Sequence, residues 1–141
     1  MKIEVYDKLP TYAVDIRMQV FVKEQGFSKE LELDEFEKTA THLVGFSNGE
    51  SAATARYFFD KRREEYLISR IAVRKEHRGK GFGAEIVTAA EKEIIAKGGK
   101  SAIIHAQLRA KGFYESIGYN TYGDIDLEEG VEHIMMRKCL I

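Results

Sequence analysis

The sequence predicts an α+β fold, a mixed and mostly antiparallel sheet with helices on both of its faces. Strand-like alternation occurs at both ends of the chain, Asn48-Gly49 separates two apolar runs as in a β-hairpin, and a helical period follows a glycine-rich stretch. The chain has 141 residues, of which 44% are hydrophobic and 32% charged. This length and composition predict a single domain over residues 1–141.

The N-terminal segment predicts one strand and one helix. The stretch "KIEVY" alternates as a strand does, and Pro10 is a favourable entry to a helix over residues 11–22. One face of that helix carries Ala13, Ile16, Val20 and Phe21. The acidic stretch over residues 24–38 lacks a clear period, so we expect a loop with room for one helical turn.

Three antiparallel strands are expected next. Two strand-like runs lie on either side of Asn48-Gly49, a dipeptide that favours the tight turn of a hairpin. A third run, "YLISRIAV", covers residues 66–73. Because the links between the runs are short, the three strands should form a meander.

The hydrophobic period changes from two to about 3.6 after the glycine-rich stretch. Ile86, Ala90 and Ile94 lie on one helical stripe. A helix over residues 83–97 would turn this stripe inward, and the glycine pair that follows is typical of a helix end.

The C-terminal third predicts another strand, a short helix and two more strands. The apolar stretch "SAIIHA", residues 101–106, follows a helix, so it should pair in parallel with the preceding strand. The stretch "RAKGFYESIGY" predicts a shorter helix that ends at Gly118. Two alternating runs then lie on either side of Glu129-Gly130.

Composition narrows the classes of function. The formal net charge of −1 results from 22 basic and 23 acidic residues, so neither nucleic acid nor a membrane surface is expected as a partner. Cys139 is the only cysteine and cannot form an internal disulfide, and the N-terminus lacks the apolar run of a signal peptide. No apolar stretch approaches the roughly 20 residues that cross a bilayer. A reduced, cytoplasmic protein is therefore expected.

The stretch "HRGKGFGAEI", residues 77–86, places three glycines between a strand and the start of a helix. The first N–H groups of a helix lack partners and carry the positive end of its dipole, so such a loop suits a phosphate. Taken alone, the pattern fits an exposed glycine turn equally well. Two commoner phosphate loops do not fit: the last glycine spacing is one residue short of the dinucleotide fingerprint, and "GGKSA" lacks the first glycine of a nucleotide-triphosphate loop.

Several motifs together resemble a known superfamily. Residues 78–83, "RGKGFG", are similar to the pyrophosphate loop of the GCN5-related N-acetyltransferases (GNAT), which bind acetyl-coenzyme A (acetyl-CoA). The stretch "AQLRAKGFYESIGY" resembles the second signature of that superfamily. "VFVKEQGF" and "DLEEGVEHIMMRK" are similar to a group of small bacterial members, so the likeness covers almost the whole chain.

The resemblance implies a cosubstrate and a place for it. It implies that the strands carrying "RIAV" and "IIHA" splay apart and leave an acyl-CoA cleft, that the N–H groups of the glycine loop hold the pyrophosphate, and that the Val73 N–H polarises the thioester carbonyl. No metal is expected. The residues implied in acetyl-CoA binding are Ile71, Ala72, Val73, Arg78, Gly79, Lys80, Gly81, Phe82, Gly83, Gln107 and Tyr114.

Tyr114 is the predicted general acid. It occupies the tyrosine position of the second signature, and a phenol with a pKa near 10 can give its proton to a leaving thiolate whose thiol has a pKa near 8.5. A packed aromatic side chain is the alternative role.

The general base is expected among five candidates. They are Glu24, Asp34, His42, His105 and His133. We favour Glu24, which follows the first helix near the acceptor entrance implied by the resemblance, and His105, which lies on the strand that borders the cleft. Related small members often carry asparagine at the position of His105, and a histidine on an apolar strand is often structural.

Two functions therefore remain open from the sequence. The first is an N-acetyltransferase that moves an acetyl group from acetyl-CoA to a primary amine by direct attack. The second is a non-catalytic acyl-CoA sensing module, which would not need an acid at Tyr114. The acceptor is expected to be a small-molecule amine, with a protein amine as the alternative, and the resemblance is compatible with a homodimer.

Overall fold

The computed structural model describes residues 1–29 and 33–141. The remaining residues, 30–32, belong to the loop predicted over residues 24–38 and lie outside the described residues.

A mixed sheet forms the centre of the molecule. The described residues contribute seven strands in the order β1-β2-β3-β4-β5-β7-β6. In chain order the strands are β1 (Lys2–Tyr6), β2 (Thr41–Ser47), β3 (Glu50–Asp60), β4 (Glu65–Val73), β5 (Ser101–Gln107), β6 (Asn120–Glu128) and β7 (Val131–Cys139). Every neighbouring pair is antiparallel except β4 and β5. The predicted mixed sheet is confirmed.

The predicted hairpin between β2 and β3 is also confirmed. Asn48 has φ 51° and Gly49 has φ 81°. A two-residue turn with positive φ at both positions matches the right-handed twist of the strands it joins. The Asn-Gly dipeptide therefore sets the register of this part of the sheet.

Helices cover both faces of the sheet. They are α1 (Thr11–Arg17), α2 (Phe82–Ala96) and α3 (Lys111–Ser116). Leu43 of β2 packs in the cluster that contains the buried side of α2, whereas its neighbour Val44 packs with α1. Because successive strand residues point to opposite faces, α1 and α2 lie on opposite sides of the sheet.

The predicted stripe of α2 faces the core. Ile86, Ala90 and Ile94 are fully buried, as the 3.6-residue period predicts. The helix predicted over residues 11–22 is present, but only its first part is α-helical. From Met18–Glu24 the same helix continues in the wider π form, which the apolar spacing alone does not distinguish.

The parallel pair β4 and β5 separates soon after it begins. Residues pair only at Tyr66 with Ala102 and at Leu67 with Ile103. Further along β4, Arg70 has φ 51°, and the register with β3 shifts at this point. This bulge bends β4 away from a straight path. The predicted splay is confirmed, whereas the bulge is an unpredicted feature.

A buried ion cluster attaches α1 and the turn before β2 to the sheet. Arg56 of β3 donates two hydrogen bonds of 2.7 Å to the Asp34 carboxylate, and Arg17 of α1 donates to both oxygens of Glu37. Arg17 is only 1% exposed. Because a buried charge without a partner is costly, these pairs fix the position of the turn over Glu35–Lys38.

This cluster predicts a loss of stability in acid. Burial would raise the pKa values of Asp34 and Glu37, but hydrogen bonds and charge from Arg56 and Arg17 outweigh it and lower both pKa values. Their contribution is complete above the unfolded pKa and is lost as pH falls through the folded pKa. We therefore expect the urea midpoint to fall between about pH 5 and pH 3.

The matched comparison uses two neighbouring glutamates. Glu37→Gln should flatten the dependence of the urea midpoint on pH, because one of the lowered carboxyl groups is gone. Glu35→Gln, at an exposed position of the same turn, should keep the wild-type dependence. An equal dependence in both variants would contradict the assignment.

Candidate active site

A cleft of about 530 Å³ opens where β4 and β5 diverge. Ile71 of β4, His105 and Gln107 of β5, His133 of β7 and Tyr114 of α3 are among its lining residues. The cleft therefore brings together side chains from both halves of the sequence.

The cleft connects the two faces of the sheet. On one face, Ile104 of β5 joins the core cluster that contains Tyr114. On the other face, Ile103 packs against Phe58. Strand alternation places His105 on the same face as Ile103. Tyr114 and His105 thus reach the cleft from opposite faces.

Tyr114 is almost fully buried beside the cleft. Its side chain packs with Phe113, and the residue is 8% exposed. Burial raises its pKa well above that of a phenol in water. Tyr114 is therefore protonated throughout the neutral range.

The glycine loop leads into the N-terminus of α2. Gly79 and Gly81 both have φ 80°, and a Cβ atom added to either would meet no other atom within 4 Å. Gly81 precedes the first turn of α2 and provides no side-chain cap. The open space beside Gly79 and Gly81 leaves room for an anion next to the first N–H groups of the helix.

Gly83 serves a different local requirement. A Cβ atom at this position would lie 3.1 Å from Cζ of Phe113. A hydrogen in place of Cβ lets α2 and α3 approach closely at this point. Gly83, the third glycine of the motif, therefore allows the two helices beside the loop to pack closely.

The main chain of Val73 points away from β3. The Arg74 N–H donates to Ala52 O in β3, so alternation along β4 turns the N–H and C=O of Val73 away from β3. The Val73 carbonyl accepts a 3.0 Å hydrogen bond from Nε of Arg78.

Arg78 forms an ion pair with Glu24, one of the candidate bases. Its two terminal nitrogens donate to the Glu24 carboxylate at 2.5 and 2.7 Å. This hydrogen bond lowers the pKa of Glu24, and the positive charges of Arg78, Lys75 and Arg109 lower it further. Glu24 therefore lies beside the glycine loop as a paired carboxylate.

The other base candidates divide into two groups. Asp34, His105 and His133 line the cleft, whereas His42 is buried against the Glu37 carbonyl, and burial lowers its pKa. Asp34 belongs to the ion cluster. His105 Nε2 lies 2.8 Å from the Asp126 carboxylate, and its ring centroid is 4.7 Å from that of His133.

Two hydrogen bonds across the cleft were not predicted from the sequence. Gln107 Nε2 donates to Gln25 Oε1 at 2.9 Å, and the Ser28 N–H donates to Glu129 Oε1 at 3.2 Å. Both connect the segment after the first helix to the opposite rim. Partners 82 and 101 residues apart leave no signal in local periodicity.

The described residues lack two kinds of feature. Within residues 1–29 and 33–141, no helix combines the length and the apolar character that a membrane crossing needs. The same part of the chain contains no group of three or more His, Cys, Asp or Glu side chains placed to hold a metal ion.

Comparison with known proteins gives consistent similarities. Residues 10–140 match the family described as acetyltransferase (GNAT) domain. YjcF of Bacillus subtilis, described as an uncharacterized N-acetyltransferase, is 34% identical over 125 residues, which cover 87% of each chain.

Solved structures share the fold. A crystal structure of a candidate N-acetyltransferase from Lactobacillus plantarum is 29% identical with a TM-score of 0.89, and the match covers 99% of this chain and 98% of that one. An aminoglycoside 6′-N-acetyltransferase complexed with coenzyme A has a TM-score of 0.77 at 16% identity, over 100% of this chain and 98% of that one.

Proposed function

Since the chain belongs to the GNAT acetyltransferase family, we propose that it transfers the acetyl group of acetyl-CoA to a primary amine by direct attack on the thioester. Membership confirms the family and the enzyme class predicted from the sequence. The observation that carries the proposal is the cleft itself, which Tyr114 and His105 enter from opposite faces of the sheet. This arrangement suits direct attack, because one group can take the proton of the arriving amine while the other gives a proton to the leaving sulfur.

Acetyl-CoA is proposed to bind along the glycine loop and the open edge of β4. The coenzyme A complex of a structural neighbour with the same fold supports this choice. The N–H groups of residues 79–83 would hold the pyrophosphate, with Arg78 and Lys80 adding positive charge. Ile71, Ala72, Val73, Phe82 and Gln107 would line the path of the pantetheine arm.

The proposed chemistry uses one donor and one acid. The Val73 N–H would stabilise the negative charge that develops on the thioester oxygen, and removing one such donor typically costs a few kcal/mol of barrier. Tyr114 would protonate the sulfur as the C–S bond breaks. Burial keeps the Tyr114 hydroxyl protonated at neutral pH, so the proton to be donated is present.

We propose His105 rather than Glu24 as the proton acceptor. The lowered pKa of Glu24 makes it a weak base, and its carboxylate already accepts two hydrogen bonds from Arg78. Glu24 would instead hold Arg78 in place beside the pyrophosphate loop. His105 lines the cleft on the face opposite Tyr114.

The test is a panel of amines assayed for thiol release from acetyl-CoA. The panel should include small-molecule amines and a lysine-containing protein, since the proposed acceptor is a small amine and a protein amine is the alternative. Turnover with any amine supports the enzyme. Tight acetyl-CoA binding without turnover across the panel would favour the sensing module.

Glu24→Gln separates the two base candidates. Because Arg78 can still donate a hydrogen bond to the amide oxygen of the substituted side chain, we expect kcat to stay within about threefold of wild type, far from the 10²–10⁴-fold typical of a lost general base. The pH at which kcat/KM falls on the acidic side should be the same as in wild type. A fall of two orders of magnitude in kcat would return the role to Glu24.

Three wider expectations are also proposed. The chain would act as one domain over residues 1–141, would function in the cytoplasm, and would form a homodimer. Light scattering on the purified protein measures the mass directly and tests the last of these.

A further inference from the structure

Two histidines stack at the edge of the cleft, and each has a carboxylate partner. His105 of β5 and His133 of β7 have ring centroids 4.7 Å apart, with an interplanar angle of 33°. Both partners come from β6. Asp126 Oδ1 lies 2.8 Å from Nε2 of His105, and Glu128 Oε2 lies 3.4 Å from Nε2 of His133.

The partners of His133 define where it carries protons. Its Nδ1 lies 2.8 Å from the Val131 carbonyl oxygen. A carbonyl oxygen only accepts, so Nδ1 must carry a hydrogen. Nε2 lies 3.4 Å from the Glu128 carboxylate. Both ring nitrogens of His133 are therefore engaged, and neither is available to a group in the cleft.

The Asp126 carboxylate fixes the tautomer of His105. The Asp126 carboxylate accepts, so Nε2 of neutral His105 carries the hydrogen and Nδ1 carries the lone pair. The side chain is 26% exposed and lines the cleft. Nδ1 is thus the ring atom able to accept a proton from a group in the cleft.

We infer that Asp126 is a positioning residue that holds His105 in the tautomer whose Nδ1 accepts the acceptor's proton. This inference rests on the proposed acetyl transfer. The charged and titratable groups that share the cleft with His105 come from several elements. They are Asp126 and Glu128 from β6, His133 from β7, Tyr114 from α3, and Asp34, Arg56, Arg70, Arg109 and Glu129.

The proton balance is simple. The ammonium gives one proton to Nδ1 of His105, and the neutral amine forms the C–N bond as the C–S bond breaks. The sulfur takes the Tyr114 proton, and the new amide nitrogen loses its extra proton to restore the phenol. The imidazolium beside Asp126 then releases its proton to solvent, so each turnover yields amide, thiol and one proton.

The first experiment needs no substrate. The chain has four histidines, so nitrogen NMR of histidine-labelled protein can identify each ring through its Gln variant. We expect His105 protonated at Nε2 and His133 at Nδ1. In Asp126→Asn, His105 should shift toward the Nδ1–H tautomer. Neutral His105 protonated at Nδ1 in the wild-type protein would overturn the inference.

The second experiment compares two aspartates of β6. Asp126→Asn should lower kcat by about 10- to 100-fold with KM for acetyl-CoA unchanged, because an amide can bond either tautomer. Asp124→Asn, at an exposed position two residues away, should leave kcat unchanged, and Asp126→Glu should recover part of the loss. Equal kcat values for Asp126→Asn and Asp124→Asn would reject the positioning role.

The two experiments distinguish a failure of this inference from a failure of the proposed function. If the wild-type protein acetylates no amine, acetyl transfer fails while the NMR arm still decides the tautomer. If the protein turns over and Asp126→Asn matches its control, only the positioning role fails.

Discussion

Tyr114→Phe is expected to lower kcat by about 10²–10⁴-fold, the usual loss for a positioned general acid. The change removes one hydroxyl and leaves the ring that packs among Phe113 and the core of the sheet. The affinity for acetyl-CoA should therefore stay within about threefold of wild type, since no part of the pyrophosphate loop is altered. Calorimetry and thiol-release kinetics on the same preparation measure both quantities.

The loss should depend on pH in a defined way. Burial raises the pKa of Tyr114, so the wild-type hydroxyl remains protonated across the assay range. The leaving thiol has a pKa of about 8.5, so above that pH a thiolate leaves more readily without an acid. The difference in kcat between wild type and Tyr114→Phe should therefore become smaller in alkaline buffer. A difference in kcat that does not change with pH would indicate a structural effect.

Tyr119→Phe provides the matched control. Tyr119 is also a buried tyrosine of the same motif, but its hydroxyl donates to Glu91 at 2.8 Å and stays within the core. This variant should lose stability and keep its kcat. Equal rates for wild type and Tyr114→Phe across the neutral range would reject Tyr114 as the acid.

Most of the fold followed from local patterns. The stripe of Ile86, Ala90 and Ile94 predicted the buried face of α2, because burial of one helical face imposes the 3.6-residue period. Asn48-Gly49 predicted the hairpin, because the turn needs positive φ at both positions. In each case a short segment carries all of the information that determines its structure.

The features that the sequence did not reveal depend on distant partners or on register. The Arg78–Glu24 pair joins residues 54 apart, and no local pattern links them. The bulge at Arg70 and the irregular pairing of β6 between Tyr122 and Asp126 change which residues face the cleft. Simple alternation could not assign Asp126 to His105 for that reason.

The candidate site was predicted in part. The glycine loop and Tyr114 followed from motifs whose spacing is fixed by a turn or a short helix. The general base remained open because its strength depends on neighbours: Glu24 and His105 differ in the partners they meet, Arg78 for one and Asp126 for the other.

Gly81→Val is expected to weaken acetyl-CoA binding by at least about 100-fold. This is the loss of affinity expected when one or two charge-assisted hydrogen bonds to the pyrophosphate are removed. Gly81 has φ 80° and precedes the first turn of α2 with open space in front of its Cα atom. A β-branched side chain would occupy the space through which a phosphate reaches the N–H groups. Calorimetric titration with coenzyme A measures the effect without any acceptor.

The backbone cost of this substitution must be separated from its effect on the ligand. Valine is strained at positive φ, so Gly81→Val should also lower the unfolding temperature. Gly98, at the other end of α2, has φ 89° and equally open surroundings, so Gly98→Val carries the same kind of strain far from the loop. Both variants should lose stability, and only Gly81→Val should lose affinity. If coenzyme A binds both folded variants as tightly as wild type, the pyrophosphate lies elsewhere and the loop assignment fails.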